Sequence, residues 1–83
     1  MAITVLDLAR HRLNKPEGNL NGQDFEDAGL AIMGGCYGCG ASLAAYNAYP
    51  TTQGSWSCND CLYGQGWDSV SEADKDIFGK DAS

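Results

Sequence analysis

Positive charge is what this chain has least of. Five Lys and Arg stand against eleven Asp and Glu in 83 residues, for a formal net charge of −6 and a pI near 4.3. Proteins gain most of their non-specific affinity for nucleic acid from Lys and Arg on phosphates, so this balance disfavours nucleic acid and anionic membranes as partners unless one face is locally basic. The only basic cluster is Arg10, His11, Arg12 and Lys15. Long hydrophobic runs are also missing: nothing approaches the roughly 18 apolar residues of a transmembrane helix. Met1 to Arg10 has no long apolar core, because Asp7 and Arg10 interrupt it, so the sequence predicts no secretory leader and a cytoplasmic location with reduced thiols. Catalytic patterns are lacking as well. There is one histidine with no nucleophile at a telling spacing, no glycine-lysine phosphate loop, and carboxylates sit mainly on helix starts and polar faces, so no enzyme is expected. Internal repeats, linkers and low-complexity tracts do not occur.

What the chain does have is four cysteines, all in one pattern. Residues 36 to 61 contain two Cys-x-x-Cys pairs, Cys36/Cys39 and Cys58/Cys61, separated by 18 residues. A Cys-x-x-Cys turn can point two thiolates at one ion, and two such turns complete a tetrahedral four-sulfur site. Gly38 and Gly40 flank the second thiol and allow a tight turn that brings N–H groups near sulfur. Three chemistries suit these ligands: a structural zinc site, a rubredoxin-like iron site with the same ligand set, or disulfide and dithiol redox chemistry. A closed four-sulfur site has no open position for water or substrate, which disfavours metal catalysis. At this length a core alone is marginal and a metal staple is expected.

The run Cys-x-x-Cys-Gly-Ala, followed by Gly54-Ser-Trp56-Ser-Cys58-Asn59-Asp60-Cys61-Leu62-Tyr63, resembles a GATA-type zinc finger over residues 36 to about 63. The resemblance implies zinc on Cys36, Cys39, Cys58 and Cys61 and a treble-clef arrangement: a knuckle, a β-hairpin, then a second knuckle opening into a helical turn. It also implies DNA reading by hairpin arginines and a basic tail. Here the sequence departs from the family, since residues 40–57 contain no Lys or Arg and only Lys75 and Lys80 follow Cys61.

Around this centre the pattern predicts three helices. Residues 4–14 carry an apolar stripe of Val5, Leu6, Ala9 and Leu13, with Thr4 and Asp7 at capping-box spacing, and Lys15-Pro16 ends the helix. The basic residues on it read as a solvated face, and His11 as a surface or packing residue. Residues 17–22 are loop chemistry. A second helix is predicted from about 22 to 33, capped by Asn21, with a stripe of Phe25, Ala28, Gly29, Ile32 and Met33, and Gly34-Gly35 as its stop. Residues 43–49 and 55–58 are the candidate hairpin strands, with a turn at 50–54, although the alanines of 43–49 also admit a helical turn. Tyr46, Tyr49 and Trp56 are expected to pack over the metal site. A third helix runs from Ser69 to Phe78 with Ser69/Glu72 as capping pair, Val70, Ala73 and Ile77 inward, and Gly79 as stop.

The expected fold is thus a small metal-stabilised α+β unit: a four-cysteine zinc finger of treble-clef or zinc-ribbon-like form, with two N-terminal helices and one C-terminal helix. Residues 1–83 form one domain, divided into a helical hairpin (1–35), a zinc module (36–68), the C-terminal helix (69–79) and a disordered tail (80–83). The expected function is that of a small acidic protein holding one zinc ion and acting as a non-catalytic protein-interaction or regulatory module. Its alternatives are a DNA-binding GATA-like regulator and a rubredoxin-like iron electron carrier. From Asp60 to Asp81 there are six acids and two lysines, so the expected partner is a protein with a basic surface, met by Tyr63, Trp67, Glu72, Asp74 and Asp76. Size and charge also suit a viral or plasmid-borne regulator of a host enzyme.

Overall fold

In a computed structural model, which describes residues 3–30, 34–52, 54–61 and 67–79, the chain forms three helices and one two-stranded hairpin. Helix α1 spans Val5–Leu13, α2 Gly22–Asp27, β1 Tyr49–Pro50, β2 Trp56–Ser57 and α3 Val70–Phe78. α1 is the central element: it packs on α3 and α2 and touches β1.

Each helix starts where its capping chemistry predicts. At α1 the Thr4 hydroxyl accepts the Asp7 N–H and the Asp7 carboxylate accepts the Thr4 N–H, closing a capping box with Asp in place of the usual Glu. The next orphan amides of that first turn are met from far along the chain: Val5 N–H donates to Ala48 O at 2.8 Å and Leu6 N–H to Ala45 O at 3.0 Å. Asn21 and Asp24 form the same box at α2. At α3 the Ser69 hydroxyl accepts the Glu72 N–H, but the Glu72 carboxylate reaches one residue further back, to the Asp68 N–H at 3.0 Å. Gly79 is the C-cap of α3, with a right-handed backbone.

α2 is much shorter than predicted. It ends at Asp27, with Ala28 as C-cap and Gly29 turning the chain at φ +83°. A Cβ at Gly29 would sit 3.0 Å from the Phe78 ring, so the position needs glycine both for its backbone and for the approach of α3. The apolar spacing of 25–33 had promised two more turns. Phe25 and Ala28 are buried as the stripe requires, Leu30 is buried off it, and Ile32 and Met33 lie outside the described residues.

The hairpin is also shorter than predicted. Tyr49 pairs with Ser57 and Pro50 with Trp56, antiparallel, and the turn is closed by Thr51 N–H to Ser55 O at 2.9 Å and Gly54 N–H to Thr51 O at 3.0 Å. Residues 44–47, expected in the first strand, instead make a turn: the Asn47 carbonyl side chain accepts the Ala44 N–H and Asn47 N–H donates to Ala44 O. An asparagine that satisfies a backbone amide locally competes with a strand ladder, and the alanines offer little cross-strand packing to oppose it.

The core joins all the elements. Ile3, Val5, Leu8 and Ala9 meet Phe25, Ala28, Leu30, Ala48, Trp56, Trp67, Ala73 and Ile77. Trp56 contacts Phe25 edge-on, with ring centroids 5.6 Å apart, and its indole nitrogen is buried without an acceptor among the described residues. Tyr46 does not join the core as expected: it projects from the 44–47 turn and is 72% exposed.

The basic cluster of α1 is not simply a solvated face either. The Arg12 guanidinium donates to Asp74 on α3 and lies 3.7 Å above the Phe78 ring, and His11 Nε2 is 3.5 Å from the same carboxylate. Arg10 donates to the carbonyls of Lys15 and Gly18, and Lys15 is 3.5 Å from Asp24. The sequence clusters these cations near the end of α1 but carries no information that α3 brings a carboxylate and a ring to meet Arg12.

Candidate metal centre

Two short turns build the site. The first knuckle is a small ladder: Gly35 bridges Ser42, Cys36 N–H donates to Ala41 O at 2.7 Å, and Gly40 N–H donates to Cys36 O at 2.9 Å. Gly40 sits at φ +79°, a left-handed conformation that a side chain would resist just where the chain must reverse after Cys39. The ladder is fixed to the hairpin by Tyr37 N–H to Trp56 O at 2.7 Å. The second knuckle begins as β2 ends, and Cys61 N–H donates to Cys58 O at 3.1 Å. β2 therefore holds the two halves together: Trp56 anchors one knuckle and the chain runs straight from Ser57 into the other.

The four sulfurs converge. One ligand atom from each of Cys36, Cys39, Cys58 and Cys61 lies within 4.8 Å of all the others, and Cys39 Sγ is 3.8 Å from Cys58 Sγ. All four cysteines are free thiols, so the sulfurs are positioned to bind one metal ion. The surroundings treat them unequally. Cys36 is buried, and its sulfur accepts N–H groups of Gly38 (3.3 Å), Cys39 (3.4 Å) and Cys58 (3.3 Å). The Cys39 amide foremost, with those of Cys58 and Gly38, outweighs burial and lowers the Cys36 pKa to about 6. Cys61 is pushed up to about 12, first by the Cys58 thiol, then by Cys36 and burial. Cys39 is raised too: the Ala41 amide favours its thiolate, but Cys36, Cys58 and burial oppose it more. On their own, the four sulfurs tolerate about one negative charge, and a cation is required before the others ionise together.

A pH dependence follows, with a definite sign. Cys36 has a folded-state pKa below its ordinary value of 9.0, so its preference for the folded state is complete above that value and vanishes as pH falls through about 6. Cys39 and Cys61 hold their protons more tightly, and a metal must displace them. Metal binding is therefore expected to strengthen as pH rises, and acidification toward pH 6 to release the ion. Withdrawal of the metal by a chelator near pH 7 is expected to be accompanied by uptake of about three to four protons per chain, the fourth where the chain unfolds and Cys36 regains its ordinary pKa. Calorimetry in buffers of different ionisation enthalpy measures that number, and uptake of only one or two would rule out four-thiolate ligation.

Of the other residues singled out in the sequence, Trp67, Glu72, Asp74 and Asp76 are engaged within the fold. Trp67 is buried, and its indole donates to Asp76 at 2.9 Å, so it is not an exposed anchor and Asp76 is not a free charge. Asp74 is bound by Arg12 and His11, and Glu72 accepts the Asp68 amide. Tyr63 lies outside the described residues, as do residues 62–66, where the helical turn of a treble clef would fall; the next described helix starts at Val70. The exposed aromatics that sequence reasoning passed over as surface features are Tyr37, 51% exposed within the first knuckle, and Tyr46. No helix among the described residues is long and apolar enough to cross a membrane.

No family model matches the chain, and no curated protein and no solved structure matches it. The cluster is consistent with a four-cysteine zinc finger, and no match supports identification with the GATA family.

Proposed function

We propose that the chain is a zinc-binding, non-catalytic module that docks on another protein. The observation that carries the metal half is the convergence of four thiols within 4.8 Å of one another. Four thiolates fill a tetrahedral sphere, which suits a structural zinc ion and leaves no position for substrate. The treble-clef form belongs to the same proposal, supported by the two knuckles and the hairpin between them.

The docking half rests on charge and on two side chains. Net charge is −6, residues 34–61 contain no Lys or Arg and one acid, Asp60, and Tyr37 and Tyr46 stand exposed in that stretch. Four thiolates around a divalent ion add a further local charge of about −2. Tyrosine is a favoured interface anchor, and an anionic surround selects a cationic partner. The partner surface thus shifts from the C-terminal helix, whose Asp74 and Asp76 serve the fold, to the knuckle and the 44–47 turn. Nucleic acid fits this surface poorly, and the cations of α1 are already occupied by Asp74, Asp24 and backbone carbonyls.

The expected results are one zinc per colourless chain by elemental analysis, no shift of duplex DNA at physiological salt, and capture of a basic protein that is weakened by Tyr46→Ala with folding intact. Visible charge-transfer bands and iron would move the assignment to electron transfer. A salt-sensitive, sequence-specific DNA shift at nanomolar protein would move it to the DNA-binding reading.

A further inference from the structure

The four sulfurs do not meet solvent equally. Cys36 is buried and its lone pairs are engaged by three amides, whereas Cys39 is exposed at the centre of a run, residues 37–42, that is exposed throughout. Cys58 is half-buried, belongs to the other knuckle, and brings its sulfur to 3.8 Å from that of Cys39. With a metal bound both are thiolates, and an accessible thiolate beside a second one is the arrangement in which oxidation is reversible, because the neighbour can resolve the first product before it is oxidised further.

We propose that Cys39 is a modification site for small hydroperoxides and that Cys58 is its resolving thiol, so that oxidation forms a Cys39–Cys58 disulfide and expels the metal. The proposal rests on the metal-binding reading above. In the first step the Cys39 sulfur attacks the outer oxygen of the hydroperoxide. The O–O bond breaks, the alkoxide or hydroxide leaves and takes a proton, and Cys39 becomes a sulfenic acid. In the second step the Cys58 thiolate attacks the Cys39 sulfur. The S–S bond forms, the S–O bond breaks, and the departing hydroxide takes a second proton as water. The two sulfurs together lose two electrons to the peroxide: two thiolates, one hydroperoxide and two protons give one disulfide, one alcohol or water from the leaving group, and one water.

Geometry favours this pair over the alternatives within each knuckle. The sulfurs need only close from 3.8 Å to a bond of about 2.04 Å. A Cys36–Cys39 bond would draw Cys36 away from its amide donors, and a Cys58–Cys61 bond would leave the exposed sulfur without a partner. The product also has a structural consequence. A Cys39–Cys58 bond ties the first knuckle to the second, which is the junction the ion supplied, so the oxidised metal-free chain keeps structure that a reduced metal-free chain loses. Reduction returns the thiols and lets metal bind again.

The test uses the full, unsubstituted chain, since replacing a ligand cysteine disturbs folding by itself. Zinc content is measured first. The loaded protein is then treated with a small excess of hydrogen peroxide, remaining thiols are alkylated, and disulfides are mapped without reduction. The expected result is one zinc released per disulfide formed, a Cys39–Cys58 linkage outnumbering all others together, circular dichroism better preserved than in chelator-treated reduced protein, and restoration by dithiothreitol with added zinc. Linkage within either knuckle, zinc release with only sulfinic or sulfonic products, or retention of zinc through excess peroxide would each overturn the proposal. A preparation that binds no zinc before peroxide is added would instead overturn the metal-binding reading.

Discussion

Withdrawing the metal with a strong chelator under reducing conditions is expected to abolish the tertiary structure of this protein. Zinc-finger peptides bind their ion with an apparent energy of about 10–16 kcal/mol, and a small domain has a net stability of about 5–15 kcal/mol, so the ion contributes as much as the whole margin. The core supports this expectation. Apart from two tryptophans and Phe25 it is built mainly from aliphatic side chains, four of them alanines, and the hairpin has only two residues per strand. Two such strands are not stable on their own in water. The four-sulfur cluster also discourages multiple ionisation when no cation is present, as the raised pKa values of Cys39 and Cys61 record. Each Cys→Ser change is expected to act in the same direction, with a gradation that the surroundings set. Cys36→Ser should be the most damaging, because three amides and a buried site are shaped to a thiolate there, and Cys39→Ser the least, because solvent can reach that corner. Chelator titration followed by near-ultraviolet circular dichroism measures all five cases. Retention of native signal by the metal-free reduced protein would refute the account.

The second large effect is expected at Trp56. Its ring packs on Phe25, its carbonyl anchors the first knuckle through the Tyr37 amide, and it pairs with Pro50 across the hairpin. It is the residue that joins α2 to the metal centre, its ring meeting Phe25 and its backbone holding the first knuckle. Trp56→Ala is expected to cost about 3–5 kcal/mol, the usual range for emptying a buried aromatic site. For a domain of this size that lowers the melting temperature by roughly 12 °C or more. Trp56→Phe is expected to cost far less, about 1 kcal/mol, because the smaller ring leaves some space but removes an indole N–H that is buried without an acceptor among the described residues. Thermal melts of the metal-loaded variants separate the two effects. Equal losses in both variants would mean that the indole N–H has a partner after all.

These results bear on how much the sequence disclosed. The four-cysteine cluster was legible because cysteines in two spaced pairs leave little freedom, and the helix starts were legible because Thr4, Asn21 and Ser69 act through bonds three residues long. Local chemistry reads directly. The length of α2 was not legible, because apolar spacing over 25–33 competes with a glycine whose role depends on Phe78, some fifty residues away in the chain. Between the strand and the turn that 43–49 both admit, the turn prevails up to Asn47 for a related reason: Asn47 closes it locally, while Val5 and Leu6 draw on the carbonyls of Ala48 and Ala45. The acids of α3 were read as free charges because their partners, Arg12 and Trp67, are set by tertiary packing. Where function was concerned, composition located an anionic protein correctly but not the side chains that its surface presents.

The capping of α1 by residues 45 and 48 governs how the protein can be made. During synthesis α1 emerges well before the Ala45 and Ala48 carbonyls that complete its first turn, and earlier still than Ala73 and Ile77, which share its core. A helix of nine residues is too short to persist unaided in water, where about 12–15 are needed even in favourable sequences. These residues therefore cannot settle in the order in which they are made. Val5, Leu8 and Ala9 stay uncovered until α3 has been made, and closure of α1 against α3 comes after the four cysteines are all available.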